Sequence, residues 1–253
     1  MFFDDINTFF ERYDDALIEV HQKFNEVGCF APIDFYVDTV LKRAMVINGA
    51  YVKLAKANNY IAAAPYIRMQ MDNCINLGAG AMVKDILAYI SHFLSGKELY
   101  KFKDERKNSL YEKYIVQEMN KRYGSFKQAY EHYNMEVHLS VGHFFMAHYL
   151  DEDNCLNLTL EHGHYHKDDE ILAHNKNIYL VNNVLIDVLL EYWLPIKKSY
   201  LDYIDRHIAE NEVEYANKLQ TKLMNKNFRV EVDLSDEKIG YKIRAAQLEK
   251  NPY

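Results

Sequence analysis

Between residues 5 and 27 the apolar side chains fall at Ile6, Phe9, Phe10, Tyr13, Leu17, Val20 and Phe24, in steps of three and four. That spacing predicts a helix with one buried face, and Gly28 supplies a stop. Pro32 suits the first turn of a second helix, which continues through Val37, Val40, Leu41, Ala44, Ile47, Tyr51 and Leu54 to Asn58-Asn59. A third helix starts near Ile61, with Pro65 in its first turn and Ile67, Met71, Cys74, Ile75 and Ala79 along it. Gly78 and Gly80 either break it or let a neighbouring helix approach closely. Helix resumes through Met82, Ile86, Tyr89, Ile90 and Phe93 and ends near Gly96. Residues 97–108 form a charged connection, and 109–122 are helical again. Ser125 is placed to cap a further helix running toward Tyr149, with an interruption between Asn134 and Ser140.

Residues 151–167 read as irregular, with a short strand where Leu156, Leu158 and Leu160 alternate with polar residues. A long helix spans about 169–193 and carries Asn183, Asp187 and Glu191 on one face. Pro195 interrupts it, and helix returns from about 197 to 224. Then the period changes. Phe228, Val230 and Val232 alternate with Arg229, Glu231 and Asp233, which predicts a strand. Asp236-Glu237 opens a last helix with Ile239, Ile243, Ala246 and Leu248 on one face. The pattern is mainly α: a helical bundle over residues 1–212, then a small truncated α/β appendage over 213–253.

Composition changes this picture little. The chain has 253 residues, 49% hydrophobic and 26% charged, with nine Gly and four Pro, which excludes collagen-like and low-complexity chains. No stretch reaches the roughly 20 apolar residues of a membrane span. Cys29, Cys74 and Cys155 are odd in number and make no CxxC pair, which fits a reducing cytoplasm. Charge is more informative. The net is −7, yet residues 213–253 hold eight Lys or Arg against six Asp or Glu. The acidic remainder needs a local basic patch to meet nucleic acid. Lys101, Lys103, Arg106 and Lys107 form such a patch, interleaved with Tyr100 and Phe102, and read either as an RNA-phosphate contact or as a solvated interhelical loop.

The stretch FRVEVDLSDEKIGYKIRAAQLEKNPY, Phe228–Tyr253, resembles the anticodon-binding domain of bacterial threonyl-tRNA synthetase, with the likeness starting at Glu214–Leu223. The resemblance implies a small α/β fold with a sheet of several strands. It breaks off at Pro252-Tyr253, before the family's later strands, and the synthetase's catalytic domain and zinc site are absent from the sequence, so no aminoacylating enzyme is implied. In the turn Leu234-Ser235-Asp236 the family commonly has Asn where this chain has Asp236. A carboxylate there would face tRNA phosphate unfavourably.

Two further segments, NYIAAAPYIRMQMDN (Asn59–Asn73) and VHLSVGHFF (Val137–Phe145), resemble a poorly characterised family of bacterial helical proteins related to the HEPN class. The likeness covers about residues 35–195, KELYKFKDERKNSLYEKYI included. It implies a homodimer of defence or toxin type that acts on RNA, and the apolar face of the first helix offers a dimer surface. The class pairs an Arg with a His five to seven residues later, and no Arg of this chain has one there. What remains is Arg68 with Asp72, four apart on an otherwise apolar helix, and His138, Ser140 and His143 on another segment. If these converge, His138 or His143 would be the general acid or base. Arg68 would stabilise charge on phosphorus, and Asp72 would orient its neighbours. The alternatives are a buried polar network and a ligand site.

Eight of the eleven histidines fall between His132 and His174, with His162, His164 and His166 alternating in HGHYH. That segment reads as an exposed loop that meets metals adventitiously. No metal site and no cofactor are expected. Two functional readings therefore stand. The first is a cytoplasmic HEPN-like protein that cleaves or binds RNA or tRNA. The second is a non-enzymatic binding or regulatory helical module carrying a remnant of the synthetase domain.

Overall fold

The computed structural model describes residues 6–137, 148–150, 155–158 and 168–225. The elements are α1 (Ile6–Asn25), α2 (Pro32–Lys56), α3 (Tyr60–Ala81) and α4 (Ile86–Leu94). After a 3-10 turn at Leu99–Lys101 come α5 (Glu112–Arg122) and α6 (Phe126–Val137). Strands β1 (His148–Leu150) and β2 (Leu156–Leu158) pair antiparallel, with Tyr149 opposite Asn157. Helix α7 (Asp168–Val188) passes through a π-helical turn, Leu189–Trp193, into α8 (Leu194–Met224). Two compact units divide the chain at Lys198/Ser199. The predicted strand at 228–232, the last helix after Asp236 and the HGHYH segment lie outside the described residues.

Helix α3 is the axis of the first unit. It packs against α2, α4, α5, α6 and α7. A helix with neighbours on most sides must be largely small or apolar, and α3 buries Ala63, Ala64, Ile67, Met71, Cys74, Ile75, Leu77, Gly78, Ala79 and Gly80, with Arg68, Gln70 and Asn73 as its buried polar positions. The two glycines do not break it. A Cβ on Gly78 would lie 2.8 Å from the Met119 sulfur of α5, and one on Gly80 would run into the Trp193 ring. Both permit close approach. Trp193 is fully buried, stacks on Tyr36 with ring centres 4.8 Å apart, and donates its indole N–H to the Leu77 carbonyl at 2.9 Å.

Turn chemistry sets the helix ends. Gly28 and Gly96 follow α1 and α4 at φ 64° and 67°, and Asn58 takes φ 54° after α2. The Asn59 side chain accepts from the Ala62 N–H, and Asp85 accepts from that of Ala88, capping α3 and α4. The interruption predicted at Pro195 takes the form of the π-helical turn before it, and helix continues through the proline itself. Pro195 sits at the second position of α8, directly after the π-helical turn. The wider turn accommodates a residue that lacks a donor and crowds the preceding carbonyls.

The face of α1 offered as a dimer surface is also reassigned. Tyr13, Leu17, Val20 and Phe24 are buried inside the chain's own core, so that stripe is used up by intramolecular packing. Among the described residues no helix is long and apolar enough to cross a membrane.

Candidate functional site

Arg68 and Asp72 do face one way on α3, and the fold adds two partners that the spacing could not show. The Arg68 guanidinium pairs with Asp72 and with Glu112 at the start of α5. It also lies over the Tyr130 ring of α6, 4.6 Å from its centre. Only 10% of the Arg68 side chain is exposed, against 38% for Asp72 and 43% for Glu112. Burial alone would lower the Arg68 pKa, but Asp72 and Glu112 push it above its ordinary value. Burial raises the Asp72 pKa, and the pull of Arg68 does not fully offset it. A phosphate approaching this cluster meets one cation already held by two carboxylates. Such an arrangement suits a network joining α3, α5 and α6 better than a site that gathers negative charge. His138 and His143 lie outside the described residues, as does Ser140.

A chain of side-chain amides continues from Arg43. Its guanidinium donates to the Met69 carbonyl at 3.0 Å and to the Asn73 side chain. Asn73 donates to Gln70 at 3.0 Å, Gln70 donates to Asn182 at 2.8 Å, and Asn182 and Asn48 exchange two bonds at 2.9 and 3.0 Å. These amides tie α2, α3 and α7 together with their donors and acceptors matched. Beside Arg43, an open groove of about 580 Å³ runs between α2 and α3, lined by Phe35, Val46, Tyr66 and Met69 among others.

The structure also brings together residues that the histidine count did not single out. The Tyr133 hydroxyl and His174 Nδ1 are 3.0 Å apart, and Asn177 donates to the same hydroxyl at 3.1 Å. His174 stacks on Tyr60, and the His132 ring centre is 6.3 Å from that of His174. Nearby Tyr51 donates to Asn175 at 2.7 Å. Burial raises the pKa of Tyr51 and Tyr133, so both stay protonated at neutral pH. Tyr51 was legible as one apolar position of the second helix, but Tyr133 lies on a helix far from it in the chain, and no spacing linked the two. Among the described residues no group of three His, Cys, Asp or Glu could hold a metal ion.

The basic cluster is an ordered loop. Leu110 donates its N–H to the Phe102 carbonyl at 3.0 Å, and Lys103 bridges Ser109 antiparallel. Inside the turn, the Asp104 carboxylate accepts from the Asn108 N–H at 2.7 Å, the Asn108 side chain at 3.1 Å and the Tyr114 hydroxyl at 2.6 Å. Burial acts to raise the Asp104 pKa, but these donors outweigh it and hold the carboxyl below its ordinary value. Phe102 packs edge-on against Tyr89 and His92, and Leu110 is fully buried. The alternate residues Lys101, Lys103 and Tyr111 are exposed, as are Arg106 and Lys107 at the tip.

Comparison with known proteins addresses the other end of the chain. Residues 194–253 match the family model "Anticodon binding domain". A threonine–tRNA ligase of Clostridium novyi (strain NT) is 55% identical over 71 residues, 27% of this chain and 11% of that protein. One from Clostridium botulinum (strain Hall) is 34% identical over 90 residues, 34% of this chain and 14% of that protein. One from Xylella fastidiosa (strain M12) is 38% identical over 71 residues, 27% of this chain and 11% of that protein. This chain thus spans about a tenth of the length of the curated relatives it matches. No solved structure matches it.

These matches carry the synthetase-type resemblance and move its start from Glu214 back to Leu194, the first residue of α8. The HEPN-like resemblance over residues 35–195 finds no counterpart in them.

Proposed function

We propose that the chain is a tRNA-binding protein in which residues 194–253 supply a threonyl-tRNA-synthetase-type contact to tRNA and the helical unit is a non-enzymatic module. The observation that carries this reading is the family match over residues 194–253, together with 55% identity to a threonine–tRNA ligase over 71 residues. Arg68 and Asp72 are assigned a structural role, because Glu112 and Tyr130 complete their pairing within the chain.

The test is fluorescence anisotropy of the full chain with labelled threonine tRNA and a second tRNA. Lys242 and Arg244 are two of the eight basic residues of 213–253, inside the stretch that resembles the synthetase domain, and replacing both by Glu should weaken binding at least tenfold if they meet phosphate, since each such contact releases a counterion. Asp236→Asn should tighten it about threefold, because it removes a carboxylate from the turn the family uses and gives the Asn common there. Absence of tRNA binding by the full chain, or affinity untouched by Lys242→Glu with Arg244→Glu, would refute this reading.

A further inference from the structure

The ordered loop between α4 and α5 has the parts of a single-strand binding platform. Tyr100 and Tyr111 stack with ring centres 5.5 Å apart and planes 5° from parallel, and both are substantially exposed. A base can extend such a stack on its open side, because every base presents a π face. Around the pair stand the cations. Lys101 is held by Glu98 at 2.5 Å and sits 5.7 Å from the Tyr100 ring centre. No carboxylate of the described residues forms an ion pair with Lys103, Arg106 or Lys107. Their charge is therefore available, although Glu105 is exposed in the same loop.

Rigidity is the second argument. This connection is fastened at several points. Asp104 anchors the turn from within, Glu105 N–H donates to the Met82 carbonyl at 3.1 Å, and Phe102 and Leu110 pin both arms to the core. Lys107 is held at φ 68°, a conformation unusual for a residue with a side chain. A loop ordered beforehand avoids most of the entropy cost of fixing side chains on a ligand. The chain as a whole is acidic at −7, so this local run of cations stands against the background charge.

We propose that residues 99–111 bind a single-stranded segment of RNA, with bases stacked on the Tyr100–Tyr111 pair and phosphates met by Lys103, Arg106 and Lys107. This surface shares the RNA partner of the function proposed above but none of its residues, so the two stand or fall separately.

The experiment titrates the full chain with a labelled 12-nucleotide single-stranded RNA and with a 12-base-pair RNA duplex, adding polyglutamate as a competitor. The single strand should bind several-fold tighter than the duplex, and polyglutamate should compete poorly. Tyr111→Ala should weaken the single strand about tenfold, while Tyr111→Phe keeps its affinity. Lys103→Gln, Arg106→Gln and Lys107→Gln together should lower the slope of log affinity on log salt by about 2, at about 0.7 per phosphate contact on a single strand. Lys242→Glu with Arg244→Glu should leave the oligonucleotide bound, which separates failure here from failure of the C-terminal reading. All loop positions altered are exposed, so Trp193 fluorescence should be unchanged and confirm folding. Equal affinity for strand and duplex, equal competition by polyglutamate, or unchanged affinity in Tyr111→Ala would each overturn the proposal.

Discussion

Arg68 and the cations of the 101–107 loop are both basic groups on segments that carry tyrosines, and they live in opposite surroundings. Arg68 lies within the bundle, between Asp72 and Glu112 and over Tyr130. Lys103, Arg106 and Lys107 stand in water on a backbone fixed from beneath. For Arg68 the desolvation has already been incurred and the charge already answered. For Lys103, Arg106 and Lys107 neither has happened, so an incoming phosphate would supply the first strong partner, whereas Lys101 already pairs with Glu98. Availability, more than residue type, separates a structural cation from a binding one. Lys197 is the extreme case: its ammonium, 1% exposed, pairs with Asp34 at 2.8 Å and donates to the Phe24 carbonyl at 2.6 Å.

The largest expected effect follows from that case. Lys197→Met leaves the Asp34 carboxylate buried without its cation, and should cost about 3–5 kcal/mol. Urea unfolding followed by fluorescence of Trp193, the single tryptophan, reads this directly. Adding Asp34→Leu should recover most of the loss. A cost under about 1 kcal/mol would break the comparison at its structural end, since a cation buried that deeply would then be dispensable.

Arg68→Leu should destabilise less, by about 2 kcal/mol, because Asp72 and Glu112 reach solvent and need less compensation. Binding of tRNA and of single-stranded RNA should stay within twofold of the parent. RNA affinity that collapses while the unfolding curve stays put would move Arg68 from the structural class to the binding class. It would also revive the catalytic reading of Arg68 and Asp72.

The sequence carried the helices better than their partners. Pro32 and the three-and-four spacing marked α2 from its first residue, whereas Asn59, read as the close of α2, also caps α3, which starts at Tyr60. Those signals are local, within one turn of the feature they report. Gly78 and Gly80 were ambiguous between break and close approach, because the deciding atoms belong to Met119 and Trp193, distant in the chain. The Arg68–Asp72 pairing was readable as a four-residue step, whereas Glu112 and Tyr130 come from two other helices. The π-helical turn before Pro195 left no mark in the hydrophobic pattern, since one wide turn shifts the phase without altering composition. The loop was legible as cations interleaved with Tyr100 and Phe102, but not as an ordered element. Its order comes from Asp104, whose donors Asn108 and Tyr114 have the look of ordinary polar surface residues.

Asp104 is therefore the place to sharpen the comparison at its binding end, with the smallest effect on stability. Asp104→Asn keeps an acceptor for the Asn108 N–H but turns an amide toward donors, and should cost about 1 kcal/mol. The sign with pH is fixed by the depressed carboxyl. A group whose pKa falls on folding stabilises above its unfolded value, about 3.9 for aspartate, and loses that contribution as pH drops through the folded value. The stability gap between parent and Asp104→Asn should hold at pH 6 and close below pH 4. Hydrogen exchange at the Asn108 N–H, bonded at 2.7 Å, should quicken in the variant while the indole N–H of Trp193 stays protected. Single-stranded RNA affinity should fall about threefold with every cation still in place, because the loop must then be ordered on binding. Unchanged affinity in a demonstrably loosened loop would show that charge alone suffices and that the rigid backbone serves α4 and α5 instead.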